Sequence, residues 1–298
     1  MAFATALLVL LLIACVCRAA PGAATPMFWH CVKNYDLQPL LHGKASLPGP
    51  YKDYFNRLPA SSVNSTRPSI YGLQQQPAGM FIQFRTNTSA VHVRYTLGRS
   101  QLSMWHFRAS GVSGMDAYAW DDKNATWRWT GTSRPVYPIT ESKLAQLRCE
   151  APNCPMKTFR IHLPTYNTVA DDFAVGVSSA LDAFVPDASH FQSAKNASIV
   201  WYGSSILQGA VASRPGQIMT HQVSRNLGTL ILNFGFSGNC LMEQSVAAYL
   251  VQIDPPPSLF IIDCNPNMNF SLIANRVVPL VEYIRKNGHP TTPIVLVR

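Results

Sequence analysis

The chain has 298 residues, enough for two domains of about 100–200 residues each. Hydrophobic residues make up 47% and charged residues 13%, which excludes a disordered chain and supplies ample core material. The net charge of +9 comes from 24 Lys and Arg scattered singly, without the basic block of a nucleic-acid tail, so a nucleic-acid partner is not expected.

The first element is an apolar run, Ala4 to Cys17 (ATALLVLLLIACVC), followed by Arg18-Ala19-Ala20-Pro21. A spanning helix needs roughly 20 apolar residues, so the run is too short to cross a membrane. Its length and the small residues behind it read as a signal peptide over residues 1–20, cleaved near Ala19 or Ala20. No later segment is long enough to span, which predicts a secreted or secretory-lumen protein without stable membrane insertion. Asn-x-Ser/Thr acceptors at Asn64, Asn87, Asn124, Asn196 and Asn269 agree with that compartment. So does Cys149-Glu-Ala-Pro-Asn-Cys154, a short loop that reads as a disulfide in an oxidising environment. Cys15 and Cys17 would leave with the signal, and Cys31 is the odd one of the five that remain.

Residues 21–44 show no clear periodicity. From 45 to 185 the pattern alternates with a period of two. Met80, Ile82 and Phe84 share a face, as do Val91, Val93, Tyr95 and Leu97. Hairpins are predicted at Thr86–Ser89 and Asp121–Ala125, which places Asn87 and Asn124 in turns. Phe159–Leu163 and Phe173–Val177 add further strands. Short alternating strands with polar turns predict a β-sandwich over 45–185. His92 and His162 fall on polar faces and read as solvated. No metal-ligand spacing occurs, and neither a metal nor another cofactor is expected.

Residues 186–195 read as a linker. After it, Ile199–Tyr202, Leu230–Asn233, Leu259–Ile262 and Ile294–Val297 are continuous apolar runs, as in strands buried on both faces of a parallel sheet. Helical stretches lie between them at Pro215–Leu227, Leu241–Ile253 and Ile273–Lys286. Residues 196–298 therefore read as a three-layer α/β domain. Its ligand belongs at the carboxyl ends of the strands.

Three loops follow those ends: Gly203-Ser204-Ser205, Asn233-Phe-Gly-Phe-Ser-Gly238 and Asp263-Cys-Asn-Pro-Asn267. A parallel sheet brings them together, placing a hydroxyl beside a glycine-rich turn and asparagine amides. That set suits acyl transfer, with a nucleophile next to donors for a developing oxyanion. Phosphate-loop and dinucleotide fingerprints are absent, and so is the Gly-x-Ser-x-Gly of α/β-hydrolases.

The three loops resemble blocks I, II and III of the SGNH (GDSL-type) ester hydrolases. Gly114-Met-Asp116-Ala-Tyr118 resembles the Gly-x-Asp-Leu-Tyr marker of a subgroup with an N-terminal β-sandwich. Arg57-Leu-Pro-Ala60, Arg67-Pro68 and Gly209–Gly216 (GAVASRPG) look similar to that subgroup as well. The resemblance implies a flavodoxin-like SGNH domain. It makes Ser205 the nucleophile, with the N–H groups of Ser205 and Gly238 and the amide of Asn267 forming the oxyanion hole. Ser205 would also stand at a helix N-terminus, where the dipole favours negative charge. Ser204 stands where many members carry Asp. Cys240 and Cys264 each follow a block loop on neighbouring strand ends, an arrangement that suggests a second disulfide beside the site.

The family's Asp-x-x-His block does not occur after Ser205. His289 precedes the fourth strand at the end opposite the site, and His221 lies on a helix after block I; neither reads as the base. The expectation is an α/β domain truncated at its C-terminus, with the catalytic Asp and His beyond Arg298. The resemblance implies hydrolysis of an acylated carbohydrate or a small lipid ester, including deacetylation of carbohydrate. The rival reading is a non-catalytic glycan-binding or structural protein, with Trp105, Trp120, Trp127 and Trp129 as sugar platforms.

Overall fold

A computed structural model describes residues 27–35, 40–149, 154–191 and 198–297. The predicted signal peptide, Asn196 and residues 192–195 of the predicted linker lie outside the described residues. The first part of the chain contributes ten strands: β1 (Phe28–Cys31), β2 (Leu41–His42), β3 (Phe81–Thr86), β4 (Ala90–Thr96), β5 (Asp116–Asp121), β6 (Thr126–Thr132), β7 (Ile139–Gln146), β8 (Lys157–His162), β9 (Ala174–Val177) and β10 (Phe184–Pro186). They form two antiparallel sheets. One has the order β1-β9-β4-β7, and the other has the order β10-β3-β8-β5-β6 with β2 on β3. The inward positions of both sheets build one core, in which Ile82, Phe84, Val91, Val93, Tyr95, Phe159 and Ile161 are buried. The period-two pattern comes from those alternating inward residues.

Short helices α1 (Ser62–Ser65), α2 (Pro68–Gln74) and α3 (Ala109–Val112) interrupt the strands. The second part runs β11 (Ile199–Gly203), α4 (Ser205–Gln208), α5 (Met219–Leu227), β12 (Ile231–Gly235), α6 (Gln244–Leu250), β13 (Leu259–Asp263), α7 (Phe270–Asn287) and β14 (Ile294–Leu296). Its four strands are parallel in the order β12-β11-β13-β14. Gly203 pairs with both Gly235 and Asp263, so β11, β12 and β13 end level. Their following loops therefore emerge side by side.

Several features were not evident in the sequence. The segment 45–73, counted above with the sandwich, buries Leu47, Leu58 and Ile70 in the core of the parallel sheet. His162 is not solvated. It is fully buried, and its ring lies 4.0 Å from that of His221 on α5. The polar face of β8 (Thr158, Arg160, His162) is buried throughout: α5 covers His162, Trp127 and Phe191 cover Arg160, and Asp187 bonds Thr158. His92, on the equivalent polar face of β4, keeps partial exposure.

Candidate active site

Ser204 and Ser205 separate into two roles. Ser204 is fully buried and caps α4, its hydroxyl accepting a hydrogen bond from Ile206 N–H at 3.4 Å. Ser205 is the first residue of α4 and is partly exposed. At that position its backbone N–H has no intrahelical acceptor. Since α4 spans only four residues, the expected dipole contribution is small and the local N–H groups carry the polarity.

Gly238 lies on the loop after β12, exposed, at φ +67°, a left-handed conformation that glycine adopts without strain. Its neighbour Ser237 donates its N–H to Gln208 Oε1 at 2.9 Å. Gln208 in turn donates from Nε2 to Gln76 Oε1 and to the Thr165 carbonyl, which fixes the block II loop on α4. Asn233 accepts from Gly235 N–H and donates to the Leu207 carbonyl at 2.8 Å, tying the start of block II to the same helix.

Asn267 belongs to a 3-10 turn, Asn265–Asn267, after β13. Its Oδ1 accepts the Cys240 N–H at 3.1 Å. The donor there is a backbone N–H, so the amide oxygen must face it, and the Nδ2–H groups point away as donors. The Cys240–Cys264 disulfide joins the same two loops, and both cysteines are fully buried. The Cys149–Cys154 disulfide is also formed, remote in sequence from the three blocks.

The first part of the chain reaches into this site, which sequence reasoning did not assign. Arg57 is buried and donates to the Asn233 and Gly235 carbonyls at 3.1 and 2.7 Å, with its guanidinium 4.7 Å from the Phe236 ring. Burial pulls its pKa down to about 9. Arg67 pairs with Glu243 through Nε and Nη2 and donates to Asn239 Oδ1 at 2.9 Å. Tyr166 donates its hydroxyl to the Ser205 carbonyl at 3.4 Å and also bonds the Ser237 side chain. Burial raises its pKa. Arg57 and Arg67 stand in segments the sequence singled out; Tyr166 carried no such signal.

Gly114-Met-Asp116-Ala-Tyr118 forms a clamp between the two parts. Asp116 accepts the Gly216 N–H at 2.6 Å and pairs with Arg214 at 3.1 Å. Tyr118 accepts from Gln217 Nε2 at 2.8 Å and stacks under Arg225 at 3.9 Å. Burial pushes the Asp116 carboxyl up to about 7, against the opposing pull of Gly216 N–H, Arg214 and Arg225.

All eight histidines of the chain fall among the described residues, and none hydrogen-bonds Ser205 there. His221 is buried against His162, and His289 is buried with Nε2 near the Leu250 carbonyl and its ring 5.3 Å from Phe260. No group of three or more His, Cys, Asp or Glu among the described residues is arranged to hold a metal.

The model of the GDSL-like Lipase/Acylhydrolase family matches residues 196–298, and that of the N-terminus of Esterase_SGNH_hydro-type matches residues 27–182. The chain belongs to the SGNH/GDSL-type esterases. A GDSL-like lipase from Bacteroides ovatus is 30% identical to this SGNH-family chain with a TM-score of 0.79, covering 91% of this chain and 74% of that one. The salicylyl-acyltransferase SsfX3 from a tetracycline biosynthetic pathway shares the fold, with a TM-score of 0.63 and 18% identity over 90% of this chain and 71% of that one. Among curated protein sequences none matches. Membership makes the three convergent loops of this esterase-family chain its candidate active site.

Proposed function

We propose that the chain is a secreted serine ester hydrolase with Ser205 as nucleophile. The observation carrying this reading is the contrast between the two serines: Ser204 is buried as a helix cap, whereas Ser205 is partly exposed on the first turn of α4, after a strand that ends level with those preceding Gly238 and Asn267. Ser205 Oγ attacks the ester carbonyl while its proton passes to a base. The oxyanion accepts hydrogen bonds from the N–H groups of Ser205 and Gly238 and from Asn267 Nδ2. The alcohol leaves with a proton, and water then releases the acid from acyl-Ser205.

The substrate class is an acyl ester of a carbohydrate or a small lipid ester. Four of the five glycosylation acceptors are described, and Asn64, Asn124 and Asn269 are exposed, which supports passage through the secretory pathway. Secretion with cleavage near Ala20 predicts a mature N-terminus close to Pro21, which N-terminal sequencing checks. A fluorophosphonate probe is expected to label Ser205, located by peptide mass spectrometry. Labelling that persists in Ser205→Ala contradicts the assignment.

A further inference from the structure

Residues Met104–Phe107 make a tight turn closed by two backbone hydrogen bonds, Met104 N–H to the Phe107 carbonyl at 2.8 Å and Phe107 N–H to the Met104 carbonyl at 3.0 Å. The turn holds up two aromatic rings. Trp105 is 97% exposed, and His106, also exposed, meets it edge-on with ring centroids 4.5 Å apart. A tryptophan left fully in water is unusual, because its burial would be among the most favourable available to any side chain.

The other candidate tryptophans are already engaged. Trp120 stacks on His190 at 4.0 Å, Trp127 lies 4.5 Å from the Arg160 guanidinium, and Trp129 lies 4.9 Å from that of Arg214. Trp105 is contacted by His106 alone among the described rings and cations.

The base of the turn is firm and leads to the nucleophile. Phe107 is buried and packs edge-on against Tyr166 at 5.4 Å, in a cluster that includes Ala210. Tyr166 donates to the Ser205 carbonyl. Ser110 donates to the Ser213 carbonyl at 2.7 Å. Gly111 lies so close that a Cβ there would fall 2.2 Å from the Ala212 carbonyl oxygen. The turn is thus seated on residues 210–213, immediately after the nucleophile helix.

We propose that Trp105 and His106 form a sugar-ring platform at the rim of the active site, binding the carbohydrate portion of an acylated carbohydrate whose ester reaches Ser205. The assignment rests on the ester-hydrolase reading above. A flat, exposed indole face fits the C–H face of a pyranose, and the imidazole and the exposed Arg108 beside it offer hydrogen bonds to ring hydroxyls. An acyl chain would instead require a concave apolar slot, whereas this turn projects outward.

The test is equilibrium binding of O-acetylated xylohexaose, by titration calorimetry, to the wild-type chain and to Trp105→Ala, Trp105→Phe and Ser205→Ala. Trp105→Ala is expected to weaken binding by about tenfold or more, the weight of one aromatic contact, and Trp105→Phe by clearly less. The thermal midpoint serves as the folding control. Ser205→Ala should bind as wild type does. Equal affinity of wild type and Trp105→Ala overturns the platform, as does absence of binding to wild type. Binding of a long-chain alkyl ester that depends on Trp105, with none for the oligosaccharide, overturns the carbohydrate assignment. Failure of the wild-type chain to turn over any ester defeats the hydrolase reading, and turnover that persists in Ser205→Ala defeats the nucleophile assignment; both are distinguishable from failure of the platform, because they leave the binding titrations unchanged.

Discussion

The loop ends of the parallel sheet and the face where β8 meets α5 use polar residues in opposite ways. At the loop ends the key groups are small and exposed or partly exposed: Ser205 on the first turn of α4, Gly238 in a left-handed turn, and Asn267, whose Oδ1 accepts the Cys240 N–H. At the β8–α5 face, Arg160, His162, His221 and Asp116 are almost completely buried. Polar groups of the first kind are available to a substrate. Those of the second kind have lost their water and hold the two parts of the chain in register. Substitutions at the loop ends should therefore change rate more than stability, and substitutions at the face should do the reverse.

The largest separation is expected from Asn267→Ala, which removes one of the proposed oxyanion donors. It should lower kcat for a short-chain ester by about 10²–10³-fold, with a smaller loss of stability than Asp116→Ala because only the Cys240 N–H loses its acceptor. Asp116→Ala tests the other side. It strands the Gly216 N–H and Arg214, and should cost about 2–3 kcal/mol in urea unfolding. A comparable loss of stability in Asn267→Ala would erase the distinction.

The histidine pair gives a smaller, pH-dependent effect. Burial holds both His162 and His221 well below the usual 6.5, reinforced by Arg225 and Arg160 and, for His162, by its partner. Arg225 faces them from α5 and Arg160 from β8. Both rings are neutral when folded, and the unfolded chain takes up protons below about pH 6.5. Their stabilising contribution is therefore complete above that pH and is lost as pH falls below it, by about 1.4 kcal/mol per unit per ring. Asp116 acts in the opposite sense, since its carboxyl, raised from 3.8 to about 7, favours the folded state at low pH and loses that contribution as pH rises toward 7. The difference between wild type and His221→Phe isolates the pair: unfolding free energy plotted from pH 6.5 to 5 should fall less steeply in the variant. The smallest effect is expected from Arg94→Ala on the outer sheet, where the guanidinium lies 4.4 Å from the Trp29 ring and the cost should be about 0.5–1 kcal/mol.

Which parts could be read in advance follows the same division. The strands of the parallel sheet are continuous apolar runs, of which β12 is buried throughout while the edge strand β14 keeps Val295 and Leu296 exposed, and the three blocks follow the first three as short local motifs. Interior strands such as β4 show clean alternation. By contrast β7 ends its sheet, and its burial is irregular enough that no period emerges in the sequence. β1 is a four-residue strand in a stretch without periodicity. His162 was misread because alternation shows that one face of a strand is polar, not what packs on that face. Tyr166 was missed because its place beside Ser205 depends on how the sandwich seats against the parallel sheet, which no local pattern encodes.

In the proposed reaction Ser205, not Ser204, is the nucleophile. Turnover of a short-chain acetyl ester by Ser205→Ala and Ser204→Ala, each compared with wild type and checked for an unchanged unfolding midpoint, tests it most directly. Ser205→Ala is expected to abolish turnover, while Ser204→Ala keeps measurable activity at a cost of about 0.5–2 kcal/mol in stability from the lost cap. Turnover that survives in Ser205→Ala and vanishes in a folded Ser204→Ala would contradict it.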